Sequence, residues 1–355
     1  MSDRIDAVFL ITGPNPSFVT YHGNLLGERL GAAIKPVYSE IGTVRPGRQK
    51  GHEHFGFRDG ISQPGIRGLT RVSRPSAAPN QGLPGQDLVW PGEFILGYPG
   101  QDPLDAVKPG PVTPLPAPWA RNGSYMVFRR LEQRVPEFRA FVAAQAARLG
   151  IGSDLLASRM VGRWRSGAPL ELAPLEDKVW LGGDARRNND FSYAGDTFQR
   201  ACPYAAHIRK SNPRDDVPGG QADILTHRII RAGIPFGPEL MPGETKTAHS
   251  RGLMFVCYQA SIPRQFEFIQ SHWADNPDFV GGKVRPGNGS PVTPGFDPII
   301  GQAPGNGARA MDEPYPNYPA GNRRTTLDIP NQFVVLTAAA YLFMPSITAL
   351  RTVLT

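Results

Sequence analysis

Cysteine is scarce in this sequence of 355 residues, which contains only Cys202 and Cys257. Two cysteines cannot form the disulfide framework of a small secreted domain, and they are too few for a Cys-rich zinc site. Long apolar runs are also missing. The apolar run in the N-terminal segment MSDRIDAVFLITG is too short for the core of a signal peptide, and the stretch around residues 333–344 is too short for a membrane span. We therefore expect a cytoplasmic protein that does not enter the membrane.

Several function classes are excluded by missing motifs. The sequence has no Walker A loop, no Gly-x-Ser-x-Gly elbow and no HExxH motif. It also lacks the aromatic residues interleaved with Lys and Arg that typify RNA-binding modules, so we expect no nucleic-acid partner. Hydrophobic residues make up 40% and charged residues 19%, which is typical of a globular chain, and the net charge of +7 favours anionic ligands.

Glycine and proline are abundant, with 40 and 37 residues, so much of the chain must form loops. Before residue 119 the pattern predicts a strand at 7–12, a helix at 17–33, a strand at 34–44 and a short strand at 93–96. This first unit, residues 1–119, contains only a β-α-β pattern followed by a long irregular region.

A second unit is predicted over residues 120–355. Strands are expected at 124–131, near 228–231, at 251–262 and at 332–343, and helices at 136–149 and 264–273. This β-α-β-β-α-β order is that of a ferredoxin-like module. The fold class is therefore α+β, with one complete module and one that is apparently incomplete.

His207 lies in AAHIRKSNPR, between apolar residues and cations. It could be a core histidine bonded to backbone or a metal ligand, and a ligand would need a carboxylate on its second ring nitrogen. Asp297 in GFDPIIG is a candidate for that carboxylate. Cys202 is an alternative iron ligand, although a small buried thiol is the simpler interpretation. The HEH segment at 52–54 resembles a metal pair, but it reads more simply as surface histidines.

Two further motifs place polar side chains beside apolar or glycine-rich segments. In GFRDG, Asp59 either belongs to an ordinary Asp-Gly turn or projects into a pocket where a carboxylate can transfer protons. In RIIRAGIPFG, Arg231 either pairs at the surface or points inward to meet an anion, with Arg228 as its competitor at that position.

Taken together and in order, the blocks FGFRDGISQP, CPYAAHIRKSNPR, IIRAGIPFGPE, RGLMFVCYQASI and FDPIIG resemble those of the dye-decolourising peroxidases. The similarity is greatest to the larger members, which include the fungal enzymes. It runs from about Phe55 to the C-terminus. The GxxDG block followed by the AHIRK histidine is specific as a pair.

The resemblance implies two ferredoxin-like modules that form a dimeric α+β barrel, with haem b held mainly by the second module. His207 would be the proximal iron ligand, with Asp297 as its partner, and Asp59 and Arg231 would act on the distal side, where peroxide binds. Trp273 and Tyr258 are candidates for electron transfer only because of where they lie in the sequence, in or near the blocks that resemble the family. The residues implied to contact the haem are Arg214, Gly56, Phe57, Arg58, Gly60, Ile61, Ser62, Leu253 and Phe255.

The implied activity is reduction of hydrogen peroxide through a high-valent iron state, with oxidation of dyes, phenols or other organic donors, some of them anionic. A haem-handling protein of the same fold and a chlorite-dismutase-like catalyst are the alternatives, and the GxxDG carboxylate argues against the second. The family's first module normally carries an additional β-α-β ahead of residue 1. We expect a second polypeptide to complete that module, with a truncated chain, a divergent module or a homo-oligomer as alternatives.

Overall fold

The structure, a computed structural model, describes residues 5–72, 81–217, 220–304, 309–313 and 326–354. Two consecutive π-helical segments span Pro263–Glu267 and Ile269–Ala274. The α-helices are α1 (Pro16–Leu30), α2 (Val135–Leu149), α3 (Ser153–Val161), α4 (Val179–Gly183), α5 (His207–Ser211), α6 (Gln221–Leu225) and α7 (Ile347–Thr352). The strands are β1 (Gly65–Ile66), β2 (Leu88–Val89), β3 (Pro99–Gln101), β4 (Pro109–Val112), β5 (Ser124–Gln133), β6 (Ile230–Arg231), β7 (Ile234–Phe236), β8 (Gly252–Gln259), β9 (Arg309–Asp312), β10 (Thr326–Ile329) and β11 (Val334–Met344).

The main sheet is antiparallel, with the strand order β11-β5-β8-β6, and β7 also pairs with β8. When the sheet strands β5, β6, β8 and β11 are numbered 1 to 4 in chain order, the sheet has the order 4-1-3-2 of a ferredoxin-like fold. The strands predicted at 124–131, 251–262 and 332–343 are confirmed as β5, β8 and β11. The register places Leu131 opposite Leu253 and Arg129 opposite Phe255, so these four side chains share one face of the sheet.

Helix α2 packs on the sheet because its apolar residues recur at helical spacing. Val135, Phe138, Val142 and Ala146 are buried in the largest core cluster, which also includes Leu131. A proline and a glutamate occupy the first turn, and a glycine in the left-handed conformation ends the helix. The helix predicted at 136–149 is therefore confirmed.

The predicted strands of the first unit are wrong. Residues 7–12 and 34–44 have no strand pairing in the part of the chain that the structure describes, apart from a single bridge between Gly42 and Phe236. The predicted helix at 17–33 is present as α1 plus a 3₁₀ turn, but α1 has no buried residue. An apolar run becomes a strand only when a neighbouring strand accepts its hydrogen bonds. Here the apolar side chains Ile5, Phe9 and Leu10 are exposed instead.

Two other predicted elements differ in type. Residues 93–96 are not a strand, because Pro91 and Gly92 begin a 3₁₀ turn that ends at Glu93. The helix predicted at 264–273 exists, but it is wound as the two π-helical segments, which contribute Phe266, Ile269, Gln270 and Trp273 to the cavity described below. In the described ranges, no helix has the length and apolar character to cross a membrane.

Candidate active site

A large cavity lies against the sheet face that carries Leu131, Leu253 and Phe255. The GFRDG segment, helix α5, strand β6 and the π-helical segments form its other walls. The polar and charged residues on its lining are Glu53, Arg58, Asp59, Ser62, Arg129, Gln133, Arg163, Tyr193, His207, Ser211, Asn212, Arg214, His227, Arg228, Arg231 and Gln270. The remaining walls are mainly apolar, as in a site for a large flat ligand.

His207 is the first residue of α5 and lines the cavity. Its Nδ1 donates to Oδ2 of Asp297 at 2.8 Å, and the Asp297 side chain is fully buried. The other carboxylate oxygen of Asp297 accepts the backbone N–H groups of Ile299 at 2.8 Å and Ile300 at 3.0 Å. Because Asp297 holds the proton on Nδ1, the lone pair of Nε2 is left available to the cavity.

The pair is also coupled electrostatically. Burial lowers the pKa of His207, but the charge and hydrogen bond of Asp297 outweigh it, so the pKa lies above its usual value. Burial raises the pKa of Asp297, but His207 and the two backbone donors bring it below the usual value. Asp297 is therefore a carboxylate at neutral pH and makes the imidazole more basic.

Asp59 and Arg231 meet on another part of the cavity wall, where Nη1 of Arg231 lies 2.9 Å from Oδ1 of Asp59. Gln63 holds the backbone of Arg231 through two hydrogen bonds, donating to its carbonyl and accepting its N–H. Asp59 also accepts the N–H of Gly60 at 2.6 Å. Burial raises the pKa of Asp59, but Arg231, the Gly60 N–H and the charge of His207 bring it below its usual value.

Two glycines shape the segment that carries Asp59. Gly56 has φ +96° and Gly60 has φ +78°, a conformation that favours glycine. A Cβ at Gly56 would also lie 2.6 Å from Nη1 of Arg165. Just before the turn, the ring of Phe55 packs 4.3 Å from the ring of Phe138 in α2. The segment is therefore anchored on the core around α2.

Arg163 and Arg214 bring two positive charges to the cavity without a carboxylate within 4.0 Å among the described residues. Both guanidinium groups donate to the side-chain oxygen of Asn189, and Arg214 lies 3.9 Å from the ring centroid of Phe191. Burial lowers the pKa of Arg163 to about 9. A buried and a half-buried cation, neither with a carboxylate partner in the described ranges, suit a ligand with carboxylates.

Arg228, the alternative to Arg231 as the inward-pointing arginine, lines the same cavity. Its Nε lies 3.7 Å from Oδ2 of Asp87, which is too far for a hydrogen bond, and burial lowers its pKa to about 10. Both arginines therefore point inward, but only Arg231 contacts Asp59.

Eight of the nine predicted contact residues line the cavity, and so does one of the two candidates for electron transfer. Those on the lining are Phe57, Arg58, Gly60, Ile61, Ser62, Arg214, Leu253 and Phe255, together with Trp273. Gly56 and Tyr258 are not among the lining residues. Trp273 is only 6% exposed and stacks on Phe279, so it lies on the cavity wall and not at the surface.

The interpretation of HEH as surface histidines is wrong for His54. This residue is 3% exposed, and its Nε2 lies 2.8 Å from the carbonyl oxygen of Phe236. No group of three or more His, Cys, Asp or Glu side chains that could hold a metal ion occurs in the described ranges. Cys202 is buried away from the cavity, and burial raises the pKa of its thiol, as expected of a structural cysteine.

Sequence reasoning missed Arg163, Glu53 and Gln133, which all line the cavity. Arg163 follows the apolar helix α3, and the argument applied to Arg231, an arginine at the end of an apolar segment, could have found it. Glu53 and Gln133 gave no such signal, because their contact joins positions 80 residues apart in the chain.

The donor set fits haem. An imidazole with a carboxylate on Nδ1 is a typical axial ligand, the apolar walls suit a porphyrin, and Arg163 and Arg214 suit its propionates. His207 lines the cavity with Asp297 buried behind it, and the Asp59–Arg231 pair lines the same cavity. The chain thus brings together an imidazole suited to holding an iron and a separate acid–base and cation pair.

Comparisons with known proteins agree with this geometry. The family model described as Dyp-type peroxidase, C-terminal, matches residues 111–284. The chain is 40% identical to peroxidase 2 of Mycetinis scorodonius, covering 99% of this chain and 66% of the relative. It is 33% identical to the multifunctional dye peroxidase DyP2 of Amycolatopsis, covering 92% of this chain and 70% of the relative.

A solved structure of an ancestral D-type dye-decolourising peroxidase superposes with a TM-score of 0.80 at 41% identity, covering 96% of this chain and 71% of that one. The chain thus spans about two thirds of the length of the relatives it matches. Sequence, fold and cavity lead to the same conclusion: the chain belongs to the dye-decolourising peroxidase family, whose members are haem enzymes.

Proposed function

We propose that this chain is a haem b peroxidase that reduces hydrogen peroxide and oxidises dyes, phenols or other organic donors. The observation that carries the proposal is one cavity that contains both a carboxylate-backed imidazole and an Asp–Arg pair. His207 would hold the iron through Nε2, and Arg214 and Arg163 would pair with the propionates. When bound, haem supplies the redox centre that peroxide oxidises by two electrons.

The chain's own residues would move the proton and stabilise the charge. Asp59 takes the proton from one oxygen of peroxide and returns it to the other, so that water is the leaving group. Arg231 stabilises the negative charge that develops as the O–O bond breaks. Their 2.9 Å contact keeps the acid–base group and the cation beside each other. Trp273 on the wall and Tyr258 in β8 stay candidates for electron transfer from donors too bulky for the cavity.

The pH dependence of the peroxide reaction follows from the lowered pKa of Asp59. A base works in its deprotonated form, so the reaction persists as the pH falls until Asp59 takes up a proton. Because its pKa lies below the usual 3.8, we expect a rate constant that is flat from neutral pH down to about pH 4 and falls only below it. Stopped-flow absorbance across this range measures it. An acid limb with a midpoint above pH 5 would contradict the assignment.

The alternative of a haem-handling protein gains no support from the cavity. Such a protein needs to bind and release haem, and this requires neither a carboxylate nor a guanidinium beside the peroxide site. Turnover separates the two functions. The haem-loaded protein should oxidise a phenolic donor or an anthraquinone dye only when peroxide is added, whereas a handling protein would exchange haem and show no peroxide-dependent turnover.

We further propose that residues 1–119 and 120–355 correspond to two ferredoxin-like modules of a dimeric α+β barrel, the first of which is completed by a second polypeptide. The support is apolar surface. Residues 5–12, 34–44 and helix α1 bury almost nothing, and Phe9, Tyr21 and Val44 are among their exposed side chains. Exposed apolar surface of this extent marks a binding face.

Native mass tests this proposal. We expect the protein isolated from its source to elute above the 38.6 kDa of one chain and to give a second band on a denaturing gel. A single band with twice the mass would indicate a homodimer instead. A single band with the mass of one chain would rule out both assemblies.

A further inference from the structure

Glu53 is a polar residue of the cavity wall that has no role in the proposed chemistry. Its side chain is half-buried, and its carboxylate accepts the backbone N–H of Phe57 at 2.7 Å and that of Phe55 at 2.8 Å. The side-chain amide of Gln133 donates to it as well. Three donors thus meet one carboxylate: two backbone N–H groups at the start of the GFRDG region and the side-chain amide at the end of β5.

These contacts close a small turn. The N–H of Glu53 donates to the carbonyl of Phe57 at 3.0 Å, and the N–H of Gly56 donates to the carbonyl of Glu53 at 2.8 Å. The backbone of this turn provides no acceptor for the N–H groups of Phe55 and Phe57. The Glu53 carboxylate accepts both of them. Phe55 and Phe57 are 2% and 4% exposed, so those groups cannot turn to bulk water.

Gln133 connects the turn to the sheet. Its amide nitrogen donates to Glu53, and its amide oxygen accepts the N–H of His54 at 3.2 Å. The N–H of Gln133 itself donates to the carbonyl of Arg251, the residue before β8. The turn is therefore tied to β5, whose neighbour β8 pairs with β6 at Arg231.

We propose that Glu53 is the positioning residue for Asp59. By holding the turn two residues ahead of Asp59 and tying it to β5, Glu53 sets the distance between Asp59 and Arg231. This inference rests on the proposed peroxide reaction, since Glu53 would act only through Asp59. A carboxylate is required because all three neighbours are donors, and a glutamine amide would place an NH₂ group against an N–H.

The test is a double-mutant cycle on the haem-loaded protein. We expect Glu53→Gln to slow the reaction with peroxide by roughly 10- to 100-fold, the cost of a misplaced reacting group. In an Asp59→Asn background Glu53→Gln should slow the reaction with peroxide by less than about twofold, because the carboxylate that Glu53 positions is already absent. Glu93→Gln is the control: Glu93 is a buried glutamate that likewise accepts a backbone N–H, from Gln101 at 2.8 Å, but it does not line the cavity.

Amide hydrogen exchange on the haem-free protein gives a readout that does not depend on activity. Glu53→Gln should speed exchange at Phe55 and Phe57 and leave the amides of β5 unchanged. If the variant fails to load haem, Gln133→Met removes one of the three donors and should reproduce the effect on a smaller scale, again only when Asp59 is present.

Two results would overturn the inference: a peroxide reaction unchanged in Glu53→Gln, or an equal slowing in both backgrounds, which would indicate a general structural role. If the unaltered protein itself failed to react with peroxide, the proposed function would fall. The exchange data would still show whether Glu53 holds the turn.

Discussion

Replacing His207 by alanine is expected to reduce the haem content of the purified protein to background. In the proposed function the imidazole would hold the iron, and no other His, Cys or Met side chain among the described cavity-lining residues could replace it except His227. His227 is stacked face to face on Phe268 with a centroid distance of 3.8 Å, and its Nδ1 is bonded to the carbonyl of Arg264. Haem per chain is measured by the pyridine haemochrome spectrum.

Two further variants are compared with His207→Ala, one as a control and one with an expected intermediate loss of haem. His272→Ala removes an exposed histidine outside the cavity and should bind haem normally. Asp297→Asn keeps a group of the same shape but removes the charge behind His207, and loss of such a partner costs about 10- to 100-fold in metal affinity. Full haem content in His207→Ala would show that another residue binds the iron.

Asp59→Asn is expected to slow the reaction with peroxide by about 10²- to 10⁴-fold, the usual contribution of a positioned acid–base group. Asparagine keeps the shape of the side chain and can still contact Arg231, but it cannot take up and return a proton. Haem content should be unchanged, because Asp59 belongs to a different part of the wall from His207. The rate constant is measured from the change in haem absorbance after rapid mixing.

Asp190→Asn is the control for this change, since Asp190 is an exposed aspartate that does not line the cavity. A peroxide reaction of normal speed in Asp59→Asn would remove Asp59 from the mechanism. Arg231 would then have to act alone or with a different base.

The second module was predictable because its information is local. Strands β5, β8 and β11 and helix α2 each show the spacing of their own element, and their order alone indicates a ferredoxin-like sheet. The first unit was not predictable in the same way. Its apolar runs satisfy the pattern of a strand, but whether they form one depends on a partner strand.

The site residues show the same contrast between local and tertiary information. His207, Asp59 and Arg231 lie in recognisable blocks, so the sequence indicated them, and the 2.8 Å contact of His207 with Asp297 agrees with the expected pairing. Glu53 and Arg163 were not identified from the sequence. Their significance comes from what they contact, two backbone N–H groups in one case and an oxygen of Asn189 in the other. The assignment of roles to all these residues, and the cytoplasmic location, stay predictions.

The most direct test of the account is rapid mixing of the haem-loaded protein with one equivalent of hydrogen peroxide, followed by absorbance in the Soret and long-wavelength regions. If the cavity works as proposed, the Soret band loses intensity quickly, a new long-wavelength band forms, and both changes are slowed in Asp59→Asn. A spectrum that stays unchanged after peroxide, or one that only bleaches and does so equally in both proteins, would contradict it.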